Sequence, residues 1–146
     1  MKKIVIFMVA MVFASFLHAQ HVKSIEVPVV VKDSFLRKFP GAKAVKWSKE
    51  NEMEFEAEFL VNGVALASNF DQSGKWLVTE TEMKVTELPK PVQDVISKDF
   101  SNVKISEVEK GETSDGVFYE VEFKNKSVVQ FGKDGKIMKK EKGVED

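Results

Sequence analysis

Glutamates alternate with apolar residues in two short segments of this chain, and they are its strongest candidates for chemistry. They are Glu54, Glu56 and Glu58 in the first segment and Glu120 and Glu122 in the second. Two carboxylates can act as general acid and base when one lies in an apolar pocket and the other stays ionised. Glutamates that alternate along a strand instead share its solvent side, where they pair with lysines such as Lys126. The pattern favours a solvated acidic face, able to bind a basic partner, over a catalytic dyad.

Other catalytic and metal-binding residue sets are missing from the sequence. There is no cysteine, and His21 follows the N-terminal apolar segment in a short polar stretch. A serine nucleophile would therefore lack a base held by the fold, and there is no Cys/His set for zinc. The segment Asp71–Gly74 supplies one carboxylate, which is typical of a turn and not of a calcium loop. We predict a protein that is not an enzyme and has no cofactor or metal site.

The N-terminus is typical of a secretory signal peptide. Lys2 and Lys3 precede an uncharged, mostly apolar run that ends at Leu17, and Ala19 offers a small residue for cleavage. The run is shorter than the roughly 20 residues of a membrane-spanning helix, which disfavours the alternative of a retained anchor. We predict a signal peptide over residues 1–19, an N-terminal tail over residues 20–26, and a periplasmic or secreted protein without a stable membrane span. Without cysteine, a packed core must stabilise it alone.

Charge excludes two classes of partner. The chain has 22 basic and 23 acidic residues, and removal of the signal peptide removes two of the lysines. Nucleic acid is bound by a clustered basic surface, which this composition does not provide. The sequence also has no basic amphipathic helix for anionic lipid. We expect neither a nucleic-acid partner nor a lipid surface.

The chain repeats itself. Three motifs occur twice with one common spacing: Val27-Pro28 and Leu88-Pro89, Phe39 and Phe100, and Phe70-Asp71-Gln72-Ser73-Gly74-Lys75 and Phe131-Gly132-Lys133-Asp134-Gly135-Lys136. Several anchors at an identical offset indicate internal duplication. We predict two tandem repeats, residues 27–86 and 87–146, that pack as one domain.

Each repeat is predicted to fold as one helix followed by four strands. A proline suits the start of a helix, and Val31, Phe35, Leu36 and Phe39 fall on one face of the first helix. Alternation then predicts strands, and Asn62-Gly63 predicts a tight hairpin. The fold class is α+β: two tandem α-β-β-β-β repeats, with an antiparallel sheet covered on one face by two helices. One continuous eight-stranded sheet and two separate lobes both remain open.

Tryptophan is enriched at binding hot spots but also fills cores, so Trp47 and Trp76 have two interpretations. The matching positions in the second repeat are Val108 and Ile137, which are predicted core residues. Aliphatic replacements favour packing for both tryptophans. Trp76, beside the turn at Gly74, is the better candidate for contact with a partner.

The repeated motifs resemble the PepSY-like family of small exported bacterial proteins, whose fold is grouped with beta-lactamase inhibitory protein. They are Phe39–Lys43, Phe55–Phe59 and Phe70–Lys75, with the counterparts Phe100–Lys104, Tyr119–Phe123 and Phe131–Lys136. The resemblance implies a helix pair that covers a curved sheet whose open face can grip a protein. The chain departs from the inhibitor because it has no cysteine for disulfides. Its open face is also charged where the inhibitor's is aromatic, and both departures disfavour lactamase inhibition.

The leading hypothesis is a non-enzymatic periplasmic or secreted binding module, inhibitor-like toward an envelope protein or peptide. Its open sheet face would recognise the partner, with Glu54, Glu56, Glu58, Glu120 and Glu122 setting charge preference and Trp76 as a further candidate. The alternative is a carrier of a small ligand or peptide in an apolar cleft between helices and sheet.

Overall fold

The computed structural model describes residues 26–142; the predicted signal peptide, His21 and all of the predicted tail except Glu26 lie outside this range. The described chain forms two α-helices, a short 3₁₀ helix and eight strands. They are α1 (Val29–Lys38), β1 (Lys43–Asn51), β2 (Glu54–Val61), β3 (Val64–Asp71), β4 (Trp76–Glu82), the 3₁₀ helix (Val85–Glu87), α2 (Lys90–Asp99), β5 (Ile105–Thr113), β6 (Gly116–Phe123), β7 (Val128–Phe131) and β8 (Ile137–Glu141).

All eight strands form one antiparallel sheet, and their order in the sheet is their order in the chain. The two halves join where β4 pairs with β5, which places Glu82 opposite Glu109. The predicted fold class, two helices with an antiparallel sheet, is confirmed, and the sheet is continuous rather than split into lobes. The origin of the two halves by duplication stays a prediction.

Pro28 is the N-cap of helix α1, and its carbonyl oxygen accepts the N–H of Val31 at 3.1 Å. Val31 and Phe35, one turn apart, are buried against the sheet. Leu36, predicted to share their face, is 58% exposed. That prediction is wrong because the contact stripe of this short helix is narrow, and the next residue is already rotated by about 100° towards solvent.

The core under α1 is aromatic. The Phe35 ring contacts those of Trp47, Phe59 and Phe70, at centroid distances of 5.2, 4.9 and 6.1 Å. All three contacts are edge-to-face, the arrangement that aromatic quadrupoles favour. The prediction that Trp47 packs in the core is therefore confirmed.

The core under α2 is more aliphatic, and Val92 and Ile96 are its buried helical residues. Phe100, after the end of α2, stacks on Phe123 at 5.0 Å. Val108 is buried here, as predicted. Ile137 is 40% exposed, so its prediction as a core residue is wrong. It begins β8, the edge strand, where no further strand covers it.

Two glycine turns contact the first turns of the helices. Gly74, between β3 and β4, has φ +82°, and a Cβ there would lie 2.7 Å from the carbonyl oxygen of Val30. Gly135, between β7 and β8, has φ +81° and would bring a Cβ equally close to the carbonyl oxygen of Pro91. Both positions need glycine for conformation and for space. The two halves thus fix helix to sheet in the same way.

Asp71 organises the first of these turns. Its Oδ1 accepts the N–H and hydroxyl of Ser73, at 2.8 and 2.6 Å, and the N–H of Lys75 at 3.0 Å. Burial tends to raise the pKa of Asp71, but these hydrogen bonds outweigh it and hold the pKa below its ordinary value. The predicted turn role of Asp71 is confirmed.

Candidate functional site

The sheet face away from the two helices carries all the predicted glutamates. In β2, Phe55 and Phe59 belong to the core under α1, and in β6, Val121 and Phe123 belong to the core under α2. Side chains of a strand alternate between its two faces. The intervening residues therefore point to the other side: Glu54, Glu56, Glu58, Glu120 and Glu122. We call this surface the open face.

Strand register adds glutamates that the sequence analysis missed. Glu82 of β4 lies opposite Glu109 of β5, which lies opposite Glu120 of β6. Glu80, two residues before Glu82, lies opposite Ala67 of β3. The first and second glutamate segments, distant in sequence, are thereby linked by carboxylates of the central strands.

The signals for the missed residues differ in strength. Glu109 follows Glu107 and Val108 in an acidic–apolar alternation like that of β2, which could have identified it. Glu80 lies between Thr79 and Thr81, and a polar run of this kind does not show which face each side chain takes.

The centre of the open face is buried rather than solvated. Four glutamates, which we call the inner glutamates, are 4 to 8% exposed: Glu56, Glu80, Glu109 and Glu120. The prediction of a solvated row is wrong for Glu56 and Glu120, whereas Glu54, Glu58 and Glu122 are half-buried. Each inner glutamate lies on a strand paired on both sides, so neighbouring side chains cover it.

Apolar side chains help to bury these carboxylates. Val78 and Phe118 are 6% and 5% exposed, and their register places them on the open face, outside the two cores. The Phe118 ring lies over Gly111, where a Cβ would collide with it. Gly111 in turn lies opposite Glu80. The inner glutamates are therefore set in a partly apolar surface, which raises the cost of ionising them.

The two central carboxyl groups have strongly raised pKa values. Burial, followed by the nearby carboxylates of Glu120 and Glu56, raises the pKa of Glu80 to about 7. Burial, followed by Glu80 and Glu107, raises the pKa of Glu109 to about 8. Neither Glu80 nor Glu109 forms an ion pair with a lysine or arginine of the described chain.

In the two flanking inner glutamates, Glu56 and Glu120, other contacts partly offset the upward pKa shift. Burial, followed by Glu50 and Glu58, raises the pKa of Glu56 to about 7, against a hydrogen bond that the Ser48 hydroxyl donates to Glu56 Oε2 at 3.5 Å. Burial also raises the pKa of Glu120, against a hydrogen bond from Gln130 Nε2 at 2.7 Å and the charge of Lys139. The repulsion is therefore greatest at the centre of the sheet and is relieved towards β8.

Asn69 is the other unusual polar residue of the open face. It lies opposite Glu56 on one side and Val78 on the other, and it is 4% exposed. Its Oδ1 accepts no hydrogen bond within residues 26–142. A buried amide oxygen without a donor costs about 1–3 kcal/mol, so the open face holds an unused acceptor beside a carboxyl group.

The family model with the description "Putative beta-lactamase-inhibitor-like, PepSY-like" matches residues 54–139. The chain belongs to this PepSY-like family. The resemblance stated from the sequence motifs is thus confirmed. No curated protein sequence gives a significant match.

Several solved structures are similar to this PepSY-like chain. A "putative periplasmic" protein from Bacteroides eggerthii is 18% identical, with a TM-score of 0.72 over 80% of this chain and 89% of that one. A DUF2874 family protein from Bacteroides uniformis is 23% identical, with a TM-score of 0.72 over 79% and 88%. A BLIP-like protein from Bacteroides fragilis is 20% identical, with a TM-score of 0.71 over 85% and 92%. They support the fold, and the predicted periplasmic or secreted location agrees with the first description.

Trp76 of this PepSY-like protein is separated from the glutamates. It is half-buried beside the core under α1, and its Nε1 donates to Thr79 Oγ1 at 2.9 Å. Lys38 Nζ of α1 lies 3.5 Å from the centre of the Trp76 ring, within range of a cation–π contact. The structure therefore places Trp76 on the helix side and does not join it to the acidic face.

Residues 26–142 hold neither a candidate metal site nor a candidate membrane-spanning helix. No three His, Cys, Asp or Glu side chains of this part of the chain are grouped so that they could hold a metal ion. Neither described helix has the length and apolar character needed to cross a membrane.

Proposed function

We propose that this PepSY-like protein is a non-enzymatic binding module of the periplasm that recognises a protein or peptide of the cell envelope through its open face. The observation that carries the proposal is the row of buried, mutually repelling carboxyl groups at the centre of that face. Burying such groups destabilises the folded chain. A face maintained at this cost is expected to serve recognition, because a positively charged partner would relieve the repulsion.

Acid–base catalysis is less well supported by the same residues. A catalytic pair needs one carboxyl group held neutral and its partner held ionised by a different environment. Here Glu56, Glu80, Glu107, Glu109 and Glu120 all have pKa values shifted upward. A shared upward shift provides no such division of roles.

The alternative of a small-ligand carrier with a cleft between helices and sheet is not supported either. That space is filled on the α1 side by Phe35, Phe39 and Phe59, with centroid distances of 4.6 to 5.5 Å. A ligand would have to separate rings already in close contact. Inhibition of an envelope enzyme fits the family description, but fold similarity alone does not supply a target.

The test is a crosslinking capture from the organism's own cell envelope with tagged protein, comparing two charge-reversed variants. One carries Glu58→Lys and Glu122→Lys on the open face, where both residues are half-buried. The matched control carries Asp33→Lys and Asp99→Lys, which are exposed on the helical side. Both double variants change the net charge by the same amount, so they differ only in where the new lysines lie.

We expect one dominant partner to be captured by the wild type and the helical control and lost from the open-face variant. Equal capture by all three would overturn the assignment of the open face. Capture of no protein by any of them under saturating crosslinker would overturn the proposed function itself.

A further inference from the structure

The inner part of the open face has a deficit of positive charge and a surplus of hydrogen-bond acceptors. Glu80 and Glu109 accept no hydrogen bond from the described chain, and Asn69 Oδ1 is buried without a donor. The carboxyl groups and the amide oxygen are acceptors of the same kind, and they lie on adjacent strands. The missing component is therefore a cation that carries several N–H donors.

The spacing of the acceptors favours an extended organic cation over a metal ion. Neighbouring strands are about 4.8 Å apart, so acceptors on β2, β3 and β4 are spread in a row instead of converging on one point. This agrees with the finding that no three acidic side chains within residues 26–142 could hold one metal ion. A guanidinium group presents five N–H donors in a plane, whereas an ammonium group presents three from a single atom.

The most complete set of acceptors lies around β3. Glu56 is directly opposite Asn69, and Glu80 is opposite Ala67, the next open-face residue of the same strand. Ala67 has a single methyl group and is only 3% exposed, so the long side chains around it fold over it in the free protein and would have to move aside for a ligand. A planar cation placed diagonally across β3 between Asn69 and Ala67 would meet Glu56 on one side, Glu80 on the other, and the Asn69 amide oxygen.

We propose that this part of the open face binds one arginine side chain of the partner, with its guanidinium group between Glu56 and Glu80 and an N–H donated to Asn69 Oδ1. The inference rests on the proposed function and specifies the chemistry of its partner. Arginine at this site satisfies the buried acceptor and relieves carboxylate repulsion in one step.

Binding of arginine is coupled to release of protons from the inner glutamates. These carboxyl groups are partly protonated near neutral pH in the free protein, and a bound guanidinium group favours their ionised form. Affinity therefore rises with pH from about 6 to about 8 and becomes constant above that range. The charged groups that share the open face by register or proximity are Lys46, Glu50, Glu54, Glu58, Asp71, Glu82, Glu107, Glu109, Glu120, Glu122, Lys139 and Glu141.

The experiment is an NMR titration of the exported chain with the blocked tripeptide acetyl-Ala-Arg-Ala-amide, and with its citrulline and lysine counterparts. We expect saturable shifts of the Asn69 side-chain amide with the arginine peptide, tightening on the order of tenfold between pH 6 and pH 8. The citrulline peptide, which is uncharged, should not bind. Equal binding of the lysine peptide would overturn the assignment to arginine.

Two variants and one control locate the site. Asn69→Leu removes the acceptor, and Glu80→Gln removes one carboxylate; each should weaken binding on the order of tenfold. Glu80→Gln also removes repulsion and is expected to fold well, so the test does not depend on the leucine variant. Asp99→Asn, exposed at the end of α2 on the helical side, should change affinity less than about twofold.

The outcomes separate this inference from the proposed function. Unchanged affinity in both variants would overturn the arginine site, and so would displacement of the peptide by calcium chloride at one equivalent. If envelope capture still depends on the open face, the proposed function stands and only the arginine site fails.

Discussion

Both faces of this sheet bury side chains at their centre, but they do so with opposite chemistry. On the covered face, Phe35 and Phe70 are buried among aromatic rings. On the open face, Glu80 and Glu109 are buried among other carboxyl groups. The first arrangement stabilises the fold through the hydrophobic effect, and the second opposes it. The burial of carboxyl groups on the open face therefore does not serve to stabilise the fold.

The largest expected effect tests the covered face. Phe35→Ala removes the ring at the centre of the α1 core and is expected to lower the free energy of unfolding by about 3–5 kcal/mol. The adjacent control, Leu36→Ala, removes an exposed side chain and should cost less than about 1 kcal/mol. Urea denaturation followed by circular dichroism measures both. Similar losses for the two variants would contradict the observed orientation of α1.

The second prediction concerns the open face and pH. Glu56, Glu80 and Glu109 have pKa values raised to about 7, 7 and 8 in the folded chain, from 4.5 in their unperturbed state. Between pH 4.5 and these raised pKa values, the folded chain binds more protons than the unfolded chain. The free energy of unfolding therefore falls as pH rises. From pH 5 to pH 8.5 we expect a loss of at least about 3 kcal/mol, which the Glu109 shift alone would produce, or at least about 10 °C in melting temperature.

The raised pKa values of Glu107 and Glu120 act in the same direction, whereas two other shifted groups titrate outside this range. The lowered pKa of Asp71 affects stability at lower pH, and the raised pKa of Lys110 affects it at higher pH. The double variant Glu80→Gln, Glu109→Gln should therefore reduce the slope of the profile between pH 5 and pH 8.5, while Glu56 maintains part of it. Differential scanning calorimetry in buffers of equal ionic strength provides the measurement. A melting temperature that rises over this range would contradict the account.

The smallest expected effect comes from a single carboxyl group. Glu109→Gln should stabilise the protein at pH 8 by about 1–2 kcal/mol, because it removes a buried charge that neighbouring carboxylates oppose. At pH 5, where the wild-type carboxyl group is protonated, the variant should match the wild type. Glu52→Gln, exposed in the turn between β1 and β2, is the control and should be neutral at both pH values. If Glu109→Gln changed the stability equally at pH 5 and pH 8, the buried charge would not be the cause of the change.

Local periodicity was enough to predict the covered face. The spacing of Val31 and Phe35 indicates a buried helical stripe, and the alternation around Phe55 and Phe59 indicates a strand with one apolar side. These signals lie within a few residues of one another. The helices, the antiparallel sheet and the family could therefore be predicted from the sequence, and the structure or the family match confirms them.

The open face could be predicted only in part, because its properties depend on contacts between strands. Alternation correctly assigned Glu56 and Glu120 to one side, but it does not show which side chains cover them from paired strands. Glu80 and Glu109 come together through the β4–β5 pairing, which joins the two halves of the chain. Trp76 was grouped with the glutamates because of its residue type, and only the structure places it on the opposite face.

The middle of the open face is a buried acidic site and not a solvated charged surface. The most direct test is an NMR titration of the glutamate side-chain carboxyl carbons in the exported chain. The account predicts titration midpoints near 7 for Glu56 and Glu80 and near 8 for Glu109. Midpoints at the ordinary value of 4.5 for all three would show that water and counterions reach these groups freely, and would contradict both the buried site and the proposed recognition of a cation.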